Sequence, residues 1–202
     1  IPQISPGSTN PRYTQQGYAT TFRVVANDEQ QGPAMASFAI NTLKAKNVAV
    51  IDDSTAYGQG LADSFERTVK AAGVAVLGHE HTTDKDTDFN AILTNLKAKN
   101  PEYIFFGGIY SQAGPMAKQM KALGINAKLL AGDGAQTPKF LELAGDAAEG
   151  TYASVPGLPK DKMPGGKAFL DKFEAKFHKK VELFAPMGYD AVFVIAEAMK
   201  RA

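Results

Sequence analysis

Apolar residues recur along the chain in two alternating patterns, short continuous runs and longer stretches with a helical spacing. The run 47–52 is continuous and β-rich, as in a strand that is covered on both faces. Residues 60–72 carry Leu61, Phe65 and Val69 one helical turn apart, which predicts a helix that ends at Gly73. The pattern predicts further strands at 74–78, 102–106, 128–131 and 150–155, and further helices at 86–99, 111–123 and 137–144.

Strands that alternate with helices of this length predict an α/β fold, a doubly wound parallel sheet flanked by helices. The residues before this region are short and turn-rich, with candidate strands at 1–5 and 22–25, and a first helix capped by Asn27-Asp28. After a Pro/Gly linker from Pro156, two helices are predicted at 167–178 and 187–199. The last helix is apolar over more than one face, so we expect packing partners on each.

Three predicted strands end in segments with the composition of a binding site. Asp133 lies between two glycines after the strand 128–131, Tyr57 follows the strand 47–52, and Ile109-Tyr110 follow a double glycine. Because ligands of open parallel sheets bind beyond the carboxyl ends of the strands, these residues are candidates for one cleft. A carboxylate, two aromatic rings and freely turning backbone suit a small cationic or zwitterionic molecule with an apolar tail.

Each of these residues also has a purely structural explanation. Asp133 is equally well placed to cap the N-terminus of the helix that follows. In the structural explanation, the Tyr57 ring only covers the start of the next helix, and Tyr110 is a surface ring at a helix N-terminus. The local sequence leaves these alternatives open.

Composition and motifs narrow the classes of function. The net charge of +1 gives no reason to expect nucleic acid or an anionic membrane as partner, and no apolar run is long enough for a membrane span. The absence of cysteine excludes disulfides and thiol chemistry and is compatible with export. Gly58 and Gly60 lack the third glycine and the Lys-Ser/Thr pair of phosphate-binding loops.

Few residues of the sequence indicate a catalytic or metal-binding function. No Gly-x-Ser-x-Gly elbow is present, and no acid–base pair is evident, so we expect no enzymatic activity. His79 and His81 flank Glu80 near a strand end, which places both imidazoles on one face, but no third ligand is evident. We therefore predict no metal site and no cofactor.

Taken in order, these segments resemble the periplasmic leucine/isoleucine/valine-binding proteins, the substrate-binding components of branched-chain amino acid ABC transporters. The resemblance is carried by a series of segments and not by one diagnostic motif. These segments are Ile4–Pro11, Phe22–Gly32, Val48–Asp52 with Tyr57–Gly60, Phe105–Gly108, Gly132–Gly134, Glu149–Thr151, Gly188–Val192 and Ala196–Ala198.

The resemblance implies two α/β lobes that close on a ligand by a hinge motion. Residues 1–22 would be a remnant of the first lobe, 23–155 the complete second lobe, and 156–202 a linker and helices that return to the first. The implied ligand contacts are the Thr9 hydroxyl, the backbone of Gly7 and Thr9 in a loop that includes Ser8, and Asp133 at the α-ammonium. Tyr57 and the Ile109-Tyr110 segment would line the side-chain pocket.

Two positions depart from the family pattern. The position matched to Asp133 is often Glu, so the shorter arm changes the reach of the carboxylate. The aromatic residue expected after the double glycine is Ile109 here, and Tyr110 follows one place later. Either of these two residues is therefore a candidate to face the cleft.

The resemblance covers the later part of such a protein, without the first half of the first lobe and without the last crossing. A chain that starts within a strand, without an initiator Met, and ends within a helix also reads as a fragment. We therefore expect weak or no amino acid binding by this chain alone.

The predicted function is capture of a small amino acid, most simply a branched-chain or aliphatic one, and its delivery to a membrane permease. The protein would be periplasmic, or lipid-anchored outside the cytoplasm in a Gram-positive source. A ligand-sensing module of the same fold, in a receptor or regulator, is the alternative. A doubly wound enzyme domain is a third class, and it lacks the catalytic pair it would need.

Overall fold

A computed structural model describes all residues from Ile1 to Ala202. The chain forms two compact units. The smaller unit combines residues 1–27 with 155–202, and the larger unit comprises residues 28–154.

The larger unit is an alternation of strands and helices, as the hydrophobic pattern predicts. In chain order its elements are α1 (Asp28–Asn41), β3 (Asn47–Asp52), α2 (Ala56–Ala71), β4 (Ala75–His81), α3 (Asn90–Lys99), β5 (Tyr103–Gly107), α4 (Tyr110–Ala122), β6 (Lys128–Ala131), α5 (Pro138–Ala144) and β7 (Tyr152–Ala153). The five strands form one parallel sheet in the order β4-β3-β5-β6-β7. The predicted α/β class, a doubly wound parallel sheet flanked by helices, is confirmed.

Two hydrophobic clusters bury the two faces of this sheet. On one face Ile51 and Phe106 pack with residues of α3, α4 and α5. On the other face Val50 and Phe105 pack with residues of α1 and α2, and the Phe65 and Phe105 rings stack 4.1 Å apart. Since the central strands β3, β5 and β6 are covered on both faces, they read as continuous apolar runs. Because all five strands are parallel, their carboxyl ends lie at the same edge of the sheet.

Some predicted boundaries were wrong, and each error has a local cause. Helix α2 begins at Ala56 and not at Gly60, because the Thr55 side chain accepts a hydrogen bond from the Gly58 backbone and caps the helix. Helix α3 begins at Asn90 and not at Asp86, since the Asp86 carboxylate closes a turn by accepting from the Thr82 hydroxyl. Strand β4 continues to His81 because it pairs with β3 as far as Asp52.

The smaller unit contains a two-stranded parallel sheet, β1 (Gln3–Ser5) and β2 (Thr21–Arg23), and helices α6 (Gly166–Phe177) and α7 (Ala185–Arg201). Aromatic rings of α6 and α7 pack against each other, with Phe169 and Tyr189 in edge contact at 5.2 Å. Helix α7 leaves Val192, Phe193 and Met199 exposed. No helix of the structure combines the length and the apolar composition that a membrane crossing requires.

Candidate functional site

Asp133 lies just beyond the carboxyl end of β6, in a short 3₁₀ turn, and only 6% of its surface is exposed. Its Oδ1 atom accepts a hydrogen bond from the Tyr57 hydroxyl at 2.9 Å and another from the Gln31 side-chain amide at 2.9 Å. Both donors are neutral. The carboxylate is thus buried and oriented without a cationic partner among these groups.

Burial is the largest cause of the pKa shifts of both Asp133 and Tyr57. It raises the pKa of Asp133, although the hydrogen bonds from Gln31 and Tyr57 work in the opposite direction. Burial, and next the negative charge of Asp133, raise the pKa of Tyr57 well above its ordinary value. Tyr57 therefore stays a hydroxyl at physiological pH and remains able to donate to the carboxylate. A cation brought to Asp133 would relieve the cost of burying its charge.

Gln31 positions Asp133 from helix α1, and the sequence analysis missed this role. Its amide nitrogen donates to Asp133, while its Oε1 atom accepts from the Ser154 hydroxyl at 2.9 Å. These two bonds fix the orientation of the amide. The signal in the sequence was a glutamine one helical turn before Met35, on the same inward face as the buried Asp28, to which the Gln31 amide also donates at 3.3 Å.

The other two strand ends lie against the Asp133 turn. The Tyr57 hydroxyl accepts a hydrogen bond from the Gly134 backbone N–H at 3.0 Å. A side chain at Gly134 would lie 2.8 Å from the Gly108 carbonyl oxygen and 3.1 Å from Ile109 Cγ2. The structure thus brings Tyr57, Ile109 and Asp133 together, as the strand-end argument predicts. Tyr110 is the first residue of α4, with 37% of its surface exposed, in agreement with the surface-ring alternative.

The helix-cap alternative for Asp133 is wrong. Helix α5 is capped by Thr137, whose side chain accepts from the Lys139 backbone N–H, whereas the Asp133 carboxylate points to Gln31 and Tyr57. Tyr57 lies in the first turn of α2 and not in a loop, and the hydrogen bond to Asp133 gives its hydroxyl a specific partner. Capping of helix α5 therefore does not explain the position of the Asp133 carboxylate.

A second group of predicted ligand residues lies in the loop after β1, in the smaller unit. The Ser5 hydroxyl donates to the Ser8 hydroxyl at 2.8 Å and accepts from the Ser8 backbone N–H. Arg23 of β2 donates to the carbonyl oxygens of Ser8 at 3.0 Å and Thr9 at 2.8 Å. Arg23 thus holds the loop in place, a role that the sequence analysis did not identify.

Thr9 is the buried member of this loop. Only 2% of its surface is exposed, and its hydroxyl has no hydrogen-bond partner in the structure. A buried polar atom without a partner is uncommon and calls for an explanation such as a ligand. Gly7 packs near the Phe184 ring, with space for a Cβ atom in ordinary contact.

Tyr57→Phe tests the hydrogen-bonded triad directly. Removing the hydroxyl leaves the Gly134 N–H without its acceptor and takes one donor from Asp133. We expect the free energy of unfolding to fall by about 1–3 kcal/mol, the usual cost of an unsatisfied buried group. Urea denaturation measures this loss. The control Tyr110→Phe changes a half-exposed ring and should leave the midpoint unchanged, and equal losses in the two variants would contradict the account.

The α/β fold of the larger unit is that of one lobe of a periplasmic binding protein, and comparison with known proteins gives the family. The whole chain, residues 1–202, matches the periplasmic binding protein family model, so the chain belongs to that family. It is 34% identical over 200 residues to the leucine-, isoleucine-, valine-, threonine- and alanine-binding protein of Pseudomonas aeruginosa, covering 98% of this chain and 53% of that protein.

Solved structures agree with this assignment. A leucine-binding protein of Thermotoga maritima superposes with a TM-score of 0.93 at 34% identity, over 100% of this chain and 57% of that one. A branched-chain amino acid transporter substrate-binding protein of Streptococcus pneumoniae, solved with isoleucine, has a TM-score of 0.89 at 29% identity, over 100% and 58%. This chain therefore spans slightly more than half the length of the relatives it matches, and the resemblance seen in the sequence is confirmed.

Proposed function

We propose that this chain belongs to the solute-binding component of an ABC transporter that captures a small amino acid and delivers it to a membrane permease. The observation that carries the proposal is the buried Asp133 carboxylate, which is oriented by two neutral donors and has no cation beside it. An α-ammonium group has the charge and the size to complete such a site.

The relatives support the choice of ligand class. The Pseudomonas aeruginosa protein is named for binding leucine, isoleucine, valine, threonine and alanine, and the Streptococcus pneumoniae structure contains isoleucine. Branched-chain and other aliphatic amino acids are therefore our proposed ligands. Membership of the periplasmic binding protein family supports a location outside the cytoplasm, where such a component would meet its permease.

We assign the residues as follows. Asp133 pairs with the ligand ammonium, and Tyr57 and Gln31 hold the carboxylate in position. Ile109 and Tyr110, with 40% and 37% of their surfaces exposed in this structure, line the side-chain pocket. In the smaller unit, the loop of Gly7, Ser8 and Thr9 contacts the polar end of the ligand, and the buried Thr9 hydroxyl gains the partner that it lacks.

The proposed role is binding and release without chemistry on the ligand. Burial of Asp133 fits this role. Its negative charge is costly to bury in the free protein, and a cationic ligand offsets that cost, so the site favours a cation. The raised pKa of Tyr57 keeps it a donor and unsuited to act as a base near neutral pH.

The test uses a hybrid protein, in which this chain replaces the matched segment of the Pseudomonas aeruginosa relative. Calorimetric titration with a panel of aliphatic, aromatic and acidic amino acids should show binding of leucine, isoleucine or valine, with a favourable enthalpy. Circular dichroism and a cooperative melting transition confirm that the hybrid is folded. A folded hybrid that is silent to every aliphatic and aromatic amino acid would contradict the proposal.

A further inference from the structure

A second polar cluster lies at the carboxyl end of β3 and β4, on the sheet face that packs against α2. Parallel pairing places Asp52 opposite His81, and His79 lies two residues earlier on the same face of β4. The Oδ2 atom of Asp52 is 2.7 Å from His79 Nε2 and 2.7 Å from His81 Nδ1. Three potential ligand atoms thus lie within 4.8 Å of one another.

Both ring nitrogens of His79 lie against carboxylate oxygens. Its Nδ1 atom is 2.5 Å from Glu66 Oε2, while its Nε2 atom is 2.7 Å from Asp52. A neutral imidazole has a single N–H, so one of these two contacts would set a nitrogen lone pair against a carboxylate oxygen. A metal ion bound to Nε2 removes the conflict and leaves the N–H on Nδ1, where it faces Glu66.

We propose that Asp52, His79 and His81 bind a divalent transition metal ion, for which Zn²⁺ is the best match. Two imidazoles and one carboxylate, with a water molecule as fourth ligand, are a donor set that zinc commonly takes. Such borderline nitrogen and oxygen ligands favour Zn²⁺, Ni²⁺ or Cu²⁺ over Mg²⁺ and Ca²⁺.

Glu66 completes the site from helix α2. With the metal on Nε2 of His79, the Nδ1–H group donates to Glu66, the carboxylate–histidine–metal arrangement that orients ligating histidines. The other oxygen of Glu66, Oε1, pairs with the Lys70 ammonium at 2.5 Å, so this carboxylate is held between Lys70 and His79. The other oxygen of Asp52 accepts from the Ser54 backbone N–H at 2.8 Å, which holds this carboxylate towards the imidazoles.

The spacing of the ligand atoms and the exposure of His81 allow a metal ion to enter the site. Metal–ligand distances near 2.0–2.1 Å need ligand atoms about 3.3 Å apart in a tetrahedron, roughly half an ångström wider than the present contacts. The Asp52 side chain is fully buried, but 56% of the His81 side chain is exposed. Rotation of the exposed His81 imidazole widens its contact with Asp52, and the contact between Asp52 and the mostly buried His79 ring widens by a small shift of the Asp52 carboxylate. The bound ion would tie the edge strand β4 to β3 and α2.

The two histidines are recognisable in the sequence, but their third ligand is not. Asp52 precedes His81 by 29 residues, and only the parallel register of β3 and β4 brings them side by side. This proposal is independent of the amino acid site, since it involves no residue of the Asp133 group.

The test compares two matched variants of the chain, both made without a polyhistidine tag and treated with chelator before use. His81→Asn removes a proposed ligand, whereas His178→Asn removes the remaining histidine, at the left-handed C-terminal residue of α6, where asparagine is tolerated. Zinc affinity is measured by competition with a chromophoric chelator.

We expect the unmodified chain and His178→Asn to bind a single zinc ion, and His81→Asn to bind it at least about 100-fold more weakly. Zinc at about 100 times the dissociation constant should raise the Tm of the first two by roughly 5–10 °C. No zinc binding by the unmodified chain, or equal binding by His81→Asn, would overturn the proposal.

Discussion

Asp133→Asn is expected to weaken amino acid binding by the hybrid protein by about 100-fold or more, the usual cost of removing one partner of a buried charge pair. Asparagine keeps an oxygen for the hydrogen bonds from Gln31 and Tyr57 but cannot balance the ligand ammonium. Calorimetric titration with leucine measures the effect. The matched control is Asp84→Asn, in an exposed turn, which should bind leucine with unchanged affinity.

The same substitution should leave the free protein at least as stable, and this separates a ligand role from a structural one. Because the pKa of Asp133 is raised by folding, the folded state takes up a proton before the unfolded state does as the pH falls. The contribution of Asp133 to the free energy of unfolding therefore increases as the pH falls through the interval between its unfolded and folded pKa values. Asp133→Asn should remove this dependence, and a variant that both unfolds easily and binds poorly would instead indicate a structural role.

Gly58→Ala is expected to destabilise the larger unit by about 3 kcal/mol or more, at the upper end of overpacking costs. Gly58 lies in the first turn of α2, where an added Cβ atom would collide with the Asp53 carboxylate and with the Gly107 carbonyl oxygen at the end of β5. The carbonyl belongs to the backbone and cannot rotate away. Thermal unfolding should show a Tm lower by roughly 10 °C.

Gly188→Ala is the matched control, since Gly188 also lies within a helix, α7, but an added Cβ atom there meets nothing within 4 Å. Helix propensity alone then applies, and the change should stabilise α7 by about 0.5–1 kcal/mol. A Gly58→Ala protein as stable as the unmodified chain would show that α2 is able to move away from β5. The close approach that brings Tyr57 to Asp133 would then be less strictly fixed than the structure indicates.

The hydrophobic pattern was sufficient to predict the layered architecture. The apolar runs 48–51 and 129–131 lie in central strands, because burial on both faces favours a continuous series of apolar residues. The start of α2 was missed because Gly58 was assigned to the loop that precedes the helix. Gly58 is required for the close packing of a helix against a strand end, and the sequence does not distinguish these two uses of glycine.

The strand-end argument found Asp133 and Tyr57, and the structure brings these two side chains into direct contact. It did not find Gln31 or Arg23, which act through other residues: one orients the Asp133 carboxylate, the other holds the loop of Ser8 and Thr9. Contacts between residues far apart in the chain depend on strand order and register. Local sequence carries no information on these, which is also why Asp52 was not linked with the histidines.

The central claim is that the Asp133 carboxylate binds the ammonium group of an amino acid. Its most direct test is a cycle with two ligands, leucine and its analogue without the amino group, 4-methylpentanoate, each titrated into the hybrid protein and its Asp133→Asn variant. The account predicts that the hybrid binds leucine about 100-fold or more tightly than the analogue, and that Asp133→Asn removes most of this difference. Equal binding of the two ligands by the unmodified hybrid, or an equal loss of both in the variant, would contradict it.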